Sequence, residues 1–257
     1  AGIDIIGPNS LCDYATNPMV NLVTSALIIL SGIGYIVWWD VMGLEAKRRK
    51  SFRNLSLHSK IAITTTLFLI LWGGVLIFLF EYHNPLTIGE LSVFNKLQVS
   101  FFQSVTTRTA GFATVPQQDL TNASSVVCLL LMFIGGSPGS TAGGMKTTTF
   151  AVILACAAAV FRKRDSAQFF GRRVAHDVIT TACTVAFMYV GICVGGAMII
   201  SLVEGLPLLT CMYETASAVA TVGLSLGITP GLTSFSKCLL IAMMYIGRVG
   251  GLTLIYA

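Results

Sequence analysis

Side chains that usually carry chemistry are sparse in this sequence. His58, His83 and His176 stand in loop segments with no spacing that would let them share a metal, and no Ser-His-Asp arrangement or working pair of carboxylates is evident. Six of the seven cysteines (Cys128, Cys156, Cys183, Cys193, Cys211, Cys238) fall in apolar runs without a CxxC pair, so they read as small core residues. The chemistry that remains belongs to the main chain. A small residue, a glycine and an apolar residue recur as Ala1-Gly2-Ile3, Ala110-Gly111-Phe112 and Val222-Gly223-Leu224, with glycines 109 and 112 residues apart. Carbonyl oxygens turned to one side can replace the water around a dehydrated cation without adding net charge. Glycine permits the left-handed dihedrals such a turn needs. The expected cation-binding atoms are therefore main-chain oxygens of Thr109, Ala110, Gly111 and Phe112, and of Thr221, Val222, Gly223 and Leu224, with Gly2 in a third copy.

A second string, Gly135-Gly136-Ser137-Pro138-Gly139-Ser140-Thr141-Ala142-Gly143-Gly144, holds five glycines and a proline. Each glycine costs a helix about 1 kcal/mol and a proline about 3 kcal/mol, so no unbroken helix runs through it. The apolar flanks 124–134 and 150–161 are each too short to cross a bilayer, which predicts a loop held at membrane depth rather than a tight helix crossing or an outer loop. A phosphate-binding loop is excluded, because Met145 separates Gly144 from Lys146 and no buried strand precedes it. Lys146 either takes part in gating or anchors the half-helix that follows. Arg248, beyond the apolar run 238–246, is an intramembrane charge. It either snorkels or pairs with a carbonyl, or raises an electrostatic barrier below the cation-binding oxygens. Arg108 directly precedes Thr109. A cation facing the path would repel the ion, so Arg108 is expected behind it as a brace, with Glu214 as a candidate carboxylate partner. Asp4 and Asp119 stand in outer-mouth segments, where a carboxylate either attracts cations or is merely solvated.

These residues need a membrane protein to position them. The chain has 257 residues, 54% of them hydrophobic and 11% charged, with a mean hydropathy of +0.80. A soluble domain carries roughly a quarter of its residues charged, so soluble and disordered classes are both excluded. The net charge of +5 does not point to nucleic acid, because eleven of the 16 basic residues sit in two short segments. These are Lys47, Arg48, Arg49, Lys50, Arg53 and Lys60, and Arg162, Lys163, Arg164, Arg172 and Arg173. The positive-inside rule puts their loops, 44–60 and 162–173, in the cytoplasm. Spans of the required length of about 20 residues are expected at 20–41, 61–80 and 178–203, with Trp38 and Trp39 marking the cytoplasmic end of the first. The segment 81–92 carries Glu81 and Glu90 without a basic residue and belongs outside, as does the turn around Glu204 and Pro207. Segments 93–108 and 208–220 must then dip in from outside and return. The order of elements repeats in parallel: cytoplasmic loop, span, acidic outer turn, short helix, TAG or TVG, polar loop, second span. That is the plan of a potassium-channel pore unit, whose short helix directs its partly negative C-terminal end at the ion. The opening AGIDIIG reads as a fragment boundary rather than a natural start, and no signal peptide is evident.

The strings TTRTAGFATV (106–115), GGSPGSTAGGMKTTT (135–149), ETASAVATVGLS (214–225) and YIGRVGGLTL (245–254) closely resemble the TrkH/KtrB-type membrane subunits of the Trk/Ktr/HKT potassium-transporter superfamily. The likeness runs over essentially the whole chain. It implies an all-α polytopic membrane protein of fused potassium-channel-like pore units around a pseudo-fourfold axis. Residues 1–59 would end the second unit, 60–173 form the third, and 174–257 most of the fourth. It implies filter glycines at Gly2, Gly111 and Gly223; in the family, glycine there accompanies potassium selectivity, and serine in the first unit marks sodium-preferring plant relatives. The loop 135–144 would be the gate beneath the filter. The implied activity is potassium uptake across the plasma membrane, with potassium held at filter carbonyls, sodium as a coupling or competing ion, and no cofactor in this chain. The implied partners are the lipid bilayer, a second membrane subunit forming a homodimer, and a cytoplasmic ring of nucleotide-binding subunits docking on the basic loops. Without the first unit, the fragment is not expected to conduct alone. The rival readings are a sodium-preferring cation transporter and a secondary transporter of a small solute. Such transporters often use inverted repeats, so the parallel order counts against the latter.

Overall fold

The computed structural model describes residues 10–46, 52–163 and 166–249. Gly2, Asp4, the basic run Lys47, Arg48, Arg49 and Lys50, Arg164, and the chain beyond Val249 lie outside the described residues. Helix α3 (Leu57–Glu81) and helix α7 (His176–Glu204) have 25 and 29 residues. At 1.5 Å per residue they are about 37 and 43 Å long, more than the ~30 Å bilayer core requires. They contain the expected spans 61–80 and 178–203.

Helix α4 (Val93–Thr106) and helix α8 (Leu208–Val219) have 14 and 12 residues, or about 21 and 18 Å, too short to cross. Two carboxylates show that the chain around each of them leaves one level and comes back to it. Glu81, the last residue of α3, accepts the N–H (2.9 Å) and hydroxyl (2.7 Å) of Thr121, the N-cap of α5 (Asn122–Phe133). Glu204, the last residue of α7, accepts the N–H (3.0 Å) and hydroxyl (2.6 Å) of Thr233 and the hydroxyl of Ser236 (2.5 Å), at the start of α9 (Ser234–Val249). A hydrogen bond reaches only about 3 Å. The stretches enclosed by these contacts, each containing a short helix and a glycine string, are therefore closed excursions.

The apolar run 20–41 is not one straight span. It forms α1 (Pro18–Ile33) and α2 (Tyr35–Ala46), bent by 89° at Gly34. The cause is local. Gly34 has φ +91°, and a Cβ there would stand 2.6 Å from the Pro138 carbonyl oxygen. The glycine-rich loop docks on this elbow: Ser137 N–H donates to Gly32 O (2.9 Å) and Tyr35 N–H to Gly139 O (3.1 Å). Trp38 closes the bend by donating Nε1–H to Leu30 O at 3.0 Å. Helix α5 and helix α6 (Thr147–Phe161) are the expected half-helices on either side of the glycine-rich loop.

Part of the second basic loop is a small hairpin, β1 (Gln168–Phe169) with β2 (Arg172–Arg173), in register Gln168 to Arg173. Phe170 and Gly171 at its turn both have positive φ, the geometry that matches strand twist in two-residue turns, and Arg172 and Arg173 are exposed. In the core, Val127, Cys128 and Leu131 of α5 and Tyr213, Ala216 and Val219 of α8 join Val99 of α4 and Cys193 and Ala197 of α7.

Candidate functional site

Helix α4 starts at Ser92, whose hydroxyl accepts Asn95 N–H (3.4 Å), and buries Val99, Phe102 and Val105. Just past its end, Thr109 has φ +66° and Gly111 φ +81°. Just past the end of α8, Thr221 has φ +54° and Gly223 φ +98°. The same left-handed residues thus appear in both excursions at the same offsets. Glycine adopts this region freely, whereas threonine does so at a cost on the order of 1–2 kcal/mol. Surrounding hydrogen bonds offset that cost. Ala110 N–H (3.1 Å) and Gly111 N–H (3.3 Å) donate to Thr106 O, and the Thr106 hydroxyl donates to Phe112 O at 2.6 Å. Val222 N–H donates to Ser217 O (2.8 Å) and Gly223 N–H to Ser217 Oγ (3.1 Å).

Ala110 and Val222 are buried, while Thr109 and Thr221 are half-buried. Thr109, Thr221, Gly223 and Leu224 line one cavity of ≈ 870 Å³, together with Thr141 and Arg248. The structure therefore brings Thr109 of one glycine string, Thr221, Gly223 and Leu224 of the other, Thr141 of the glycine-rich loop and Arg248 to a common space. The excursion that contains α4 also touches the segment before α1 and the excursion that contains α8. Ala113 donates its N–H to Ser10 Oγ (3.1 Å) and accepts Leu11 N–H (2.9 Å), and Tyr213 of α8 donates its hydroxyl to Gln117 Oε1 (2.8 Å).

The glycine-rich loop lies against the Thr221 turn. Gly143 faces the Thr221 side chain with no room for a Cβ, and a Cβ on Gly144 would stand 3.3 Å from Ala220. Its neck is closed by Gly135 N–H to Met145 O (2.9 Å), Thr147 N–H to Gly136 O (3.1 Å) and a Ser137–Thr147 hydroxyl contact of 3.0 Å. Ser140 N–H donates to Ser137 O (3.2 Å), and Ala142 N–H to the Ser140 hydroxyl (3.4 Å). Lys146 turns back and donates Nζ–H to Ala142 O at 2.6 Å, and Arg248 donates Nη1–H to Thr141 O at 2.6 Å. Both cations hold loop carbonyls. Pro138 and Gly139 form the edge that meets the α1–α2 elbow.

Arg108 and Glu214 do not pair. Arg108 is buried and donates Nη2–H to the Thr66 hydroxyl (3.3 Å) and to Gly135 O (3.4 Å). Glu214 accepts the Ser225 hydroxyl (2.6 Å), Leu226 N–H (2.9 Å) and the Thr229 hydroxyl (3.0 Å). A carboxylate with three donors in its own excursion has no need of a distant cation. Sequence reasoning missed a parallel brace in the preceding excursion. Gln103 of α4 donates to Gln117 Oε1 (2.6 Å), and Gln117 donates to Val115 O (2.9 Å). The available signal was a lone glutamine within the apolar stretch FFQSV. Asp119 is half-buried at the rim, where its main-chain oxygen accepts from Asn84 Nδ2 (2.9 Å). No group of three or more His, Cys, Asp or Glu suited to a metal converges among the described residues.

A family model described as TrkH, cation transport protein, matches residues 1–257. The Ktr system potassium uptake protein B of Bacillus subtilis is 40% identical over 250 residues, covering 97% of this chain and 55% of that protein. The potassium/sodium uptake protein NtpJ of Enterococcus hirae is 38% identical, covering 100% of this chain and 56% of that protein. The chain thus spans about half the length of the relatives it matches. Its fold is similar to the crystal structure of the potassium transporter TrkH from Vibrio parahaemolyticus, with TM-score 0.79 and 20% identity over 97% of this chain and 54% of that one.

Proposed function

The chain belongs to the TrkH family of cation transport proteins, a family of membrane transporters and not of enzymes, and from that premise we propose that it supplies part of a potassium uptake path. Potassium enters from outside and exchanges its water for main-chain oxygens of Thr109, Ala110, Gly111 and Phe112, of Thr221, Val222, Gly223 and Leu224, and of the stretch around Gly2. The observation that carries this reading is the matched left-handed geometry at Thr109 and Gly111 and at Thr221 and Gly223, with members of both strings lining one cavity. The loop 135–144 is the gate, packed against the Thr221 turn. Arg248 adds an electrostatic barrier in the same cavity, and Lys146 holds the loop closed through Ala142. Inward passage is assisted by the membrane potential, at about 2.3 kcal/mol per charge per 100 mV.

In this reading residues 1–59, 60–173 and 174–257 belong to three successive pore units, and the basic loops face the cytoplasm at the plasma membrane. The assembly is a homodimer with a regulatory nucleotide-binding ring below it. The name of the Enterococcus relative keeps sodium as a competing or coupling ion. The test is Gly111→Ser in the full-length protein. A hydroxymethyl group at a left-handed filter glycine is expected to reduce potassium-over-sodium preference in a flux assay. An unchanged preference would sink the filter assignment, and a wild-type protein that moves sodium better than potassium would favour the sodium-preferring reading.

A further inference from the structure

Arg108 is a cation buried inside a chain that spans a membrane, with no carboxylate on it among the described residues. A buried charge persists only when its surroundings replace water. Arg108 has few replacements: the Thr66 hydroxyl, the Gly135 carbonyl, and the partly negative C-terminal end of α4, which Arg108 directly follows. Its Nε has no hydrogen-bond partner among the described residues. With so few acceptors, losing one matters, and one of the two belongs to the first residue of the glycine-rich loop.

The position compounds this. Arg108 is bonded through the chain to Thr109, which holds a left-handed dihedral that threonine adopts only under constraint. A narrow space beside the guanidinium is lined by Gly32 of α1, Thr66 of α3 and Gly136 of the loop. The elbow that seats the loop, the spanning helix, the loop neck and the third filter stretch therefore meet at one side chain.

Resting on the reading of 135–144 as gate and 109–111 as filter, we propose that Arg108 is a positioning residue coupling the two. Displacing the loop withdraws the Gly135 carbonyl, frees the guanidinium, and lets the Thr109 turn relax, so that opening and ion preference change together.

The test uses the full-length protein in liposomes, with potassium and sodium flux and hydrogen exchange over 134–147 measured for wild type, Arg108→Met and Arg108→Lys. A hydrogen bond to a charged group is worth about 1.5–3 kcal/mol, so Arg108→Met is expected to speed loop exchange by about tenfold or more. It should also raise resting potassium flux and lower potassium-over-sodium preference, with Arg108→Lys restoring part of all three. Wild-type exchange and preference in a folded Arg108→Met protein would overturn the proposal. So would a changed preference with unchanged loop exchange, which would make Arg108 a filter brace alone. If Arg108→Met does not fold, Thr66→Val must shift both readouts in the same directions, and no shift overturns the coupling. A wild-type protein without potassium flux would instead refute the transport reading, while the loop-exchange arm would still decide whether Arg108 holds the loop.

Discussion

Small residues at two positions carry different burdens. Gly143 is small because the Thr221 side chain occupies the space where a Cβ would be, so any side chain there would push the loop off the turn. Gly34 is small and also left-handed, and the Pro138 carbonyl sits where its side chain would go. Gly34→Ala meets both obstacles. It is expected to destabilise the folded protein by about 1–3 kcal/mol, read as a lower thermal midpoint in detergent, and the loop 135–144 should become easier to cleave. An unchanged midpoint would show that the elbow tolerates a side chain. The left-handed turns at Gly111 and Gly223 were legible from sequence because they recur in matching strings. The docking of Arg108 was not, because its acceptor at Gly135 is a main-chain oxygen and leaves no side-chain signature. Charge complementarity alone pointed to Glu214, which is satisfied close to home.

Each excursion is a closed element fastened at its rim by a glutamate. Glu81 is buried and accepts four hydrogen bonds, two from Thr121 and one each from Asn84 Nδ2 (2.7 Å) and the Thr87 hydroxyl (2.6 Å). Glu81→Ala strands those donors and should cost about 3 kcal/mol or more, since each unsatisfied buried group costs about 1–3 kcal/mol. The more open Glu204 should give a smaller loss for Glu204→Ala, and equal midpoints for the two variants would count against the rim-clamp interpretation. Helices α4 and α8 were legible because they are short and bounded by polar turns, and their observed ends fall within two residues of the expected ones. The two glutamates were read only as markers of the outer face. The pattern Thr-x-x-Ser at 121–124 and 233–236 was the available clue to a cap that a carboxylate could grip. The break in 20–41 was invisible to hydropathy, which measures how apolar a run is and not which way it points. A single glycine weakens a helix by only about 1 kcal/mol, and the bend comes from a loop more than 100 residues away in sequence.

For the whole molecule, low charge and high hydropathy were enough to give the membrane class, and the placement of basic residues predicts an orientation. Leu86 stands exposed between α3 and α4, and Phe170 is exposed on the basic hairpin. In full-length protein with its own cysteines replaced, Leu86→Cys is expected to react with an impermeant thiol reagent on intact cells. Phe170→Cys should react only after permeabilisation, and the opposite pattern would invert the topology. The matching strings around Gly111 and Gly223 were visible in the sequence, whereas the contacts through Ser10, Ala113, Gln117 and Tyr213 depend on atoms that no repeat predicts. The glutamate clamps have a consequence for life in different lipids. Because both ends of each excursion are fixed to one carboxylate, the depth of the glycine turns is measured from the protein's own rim and not from the headgroups. A bilayer a few ångströms thicker or thinner is then expected to be met by tilting α3 and α7, leaving the glycine turns where they stand against that rim.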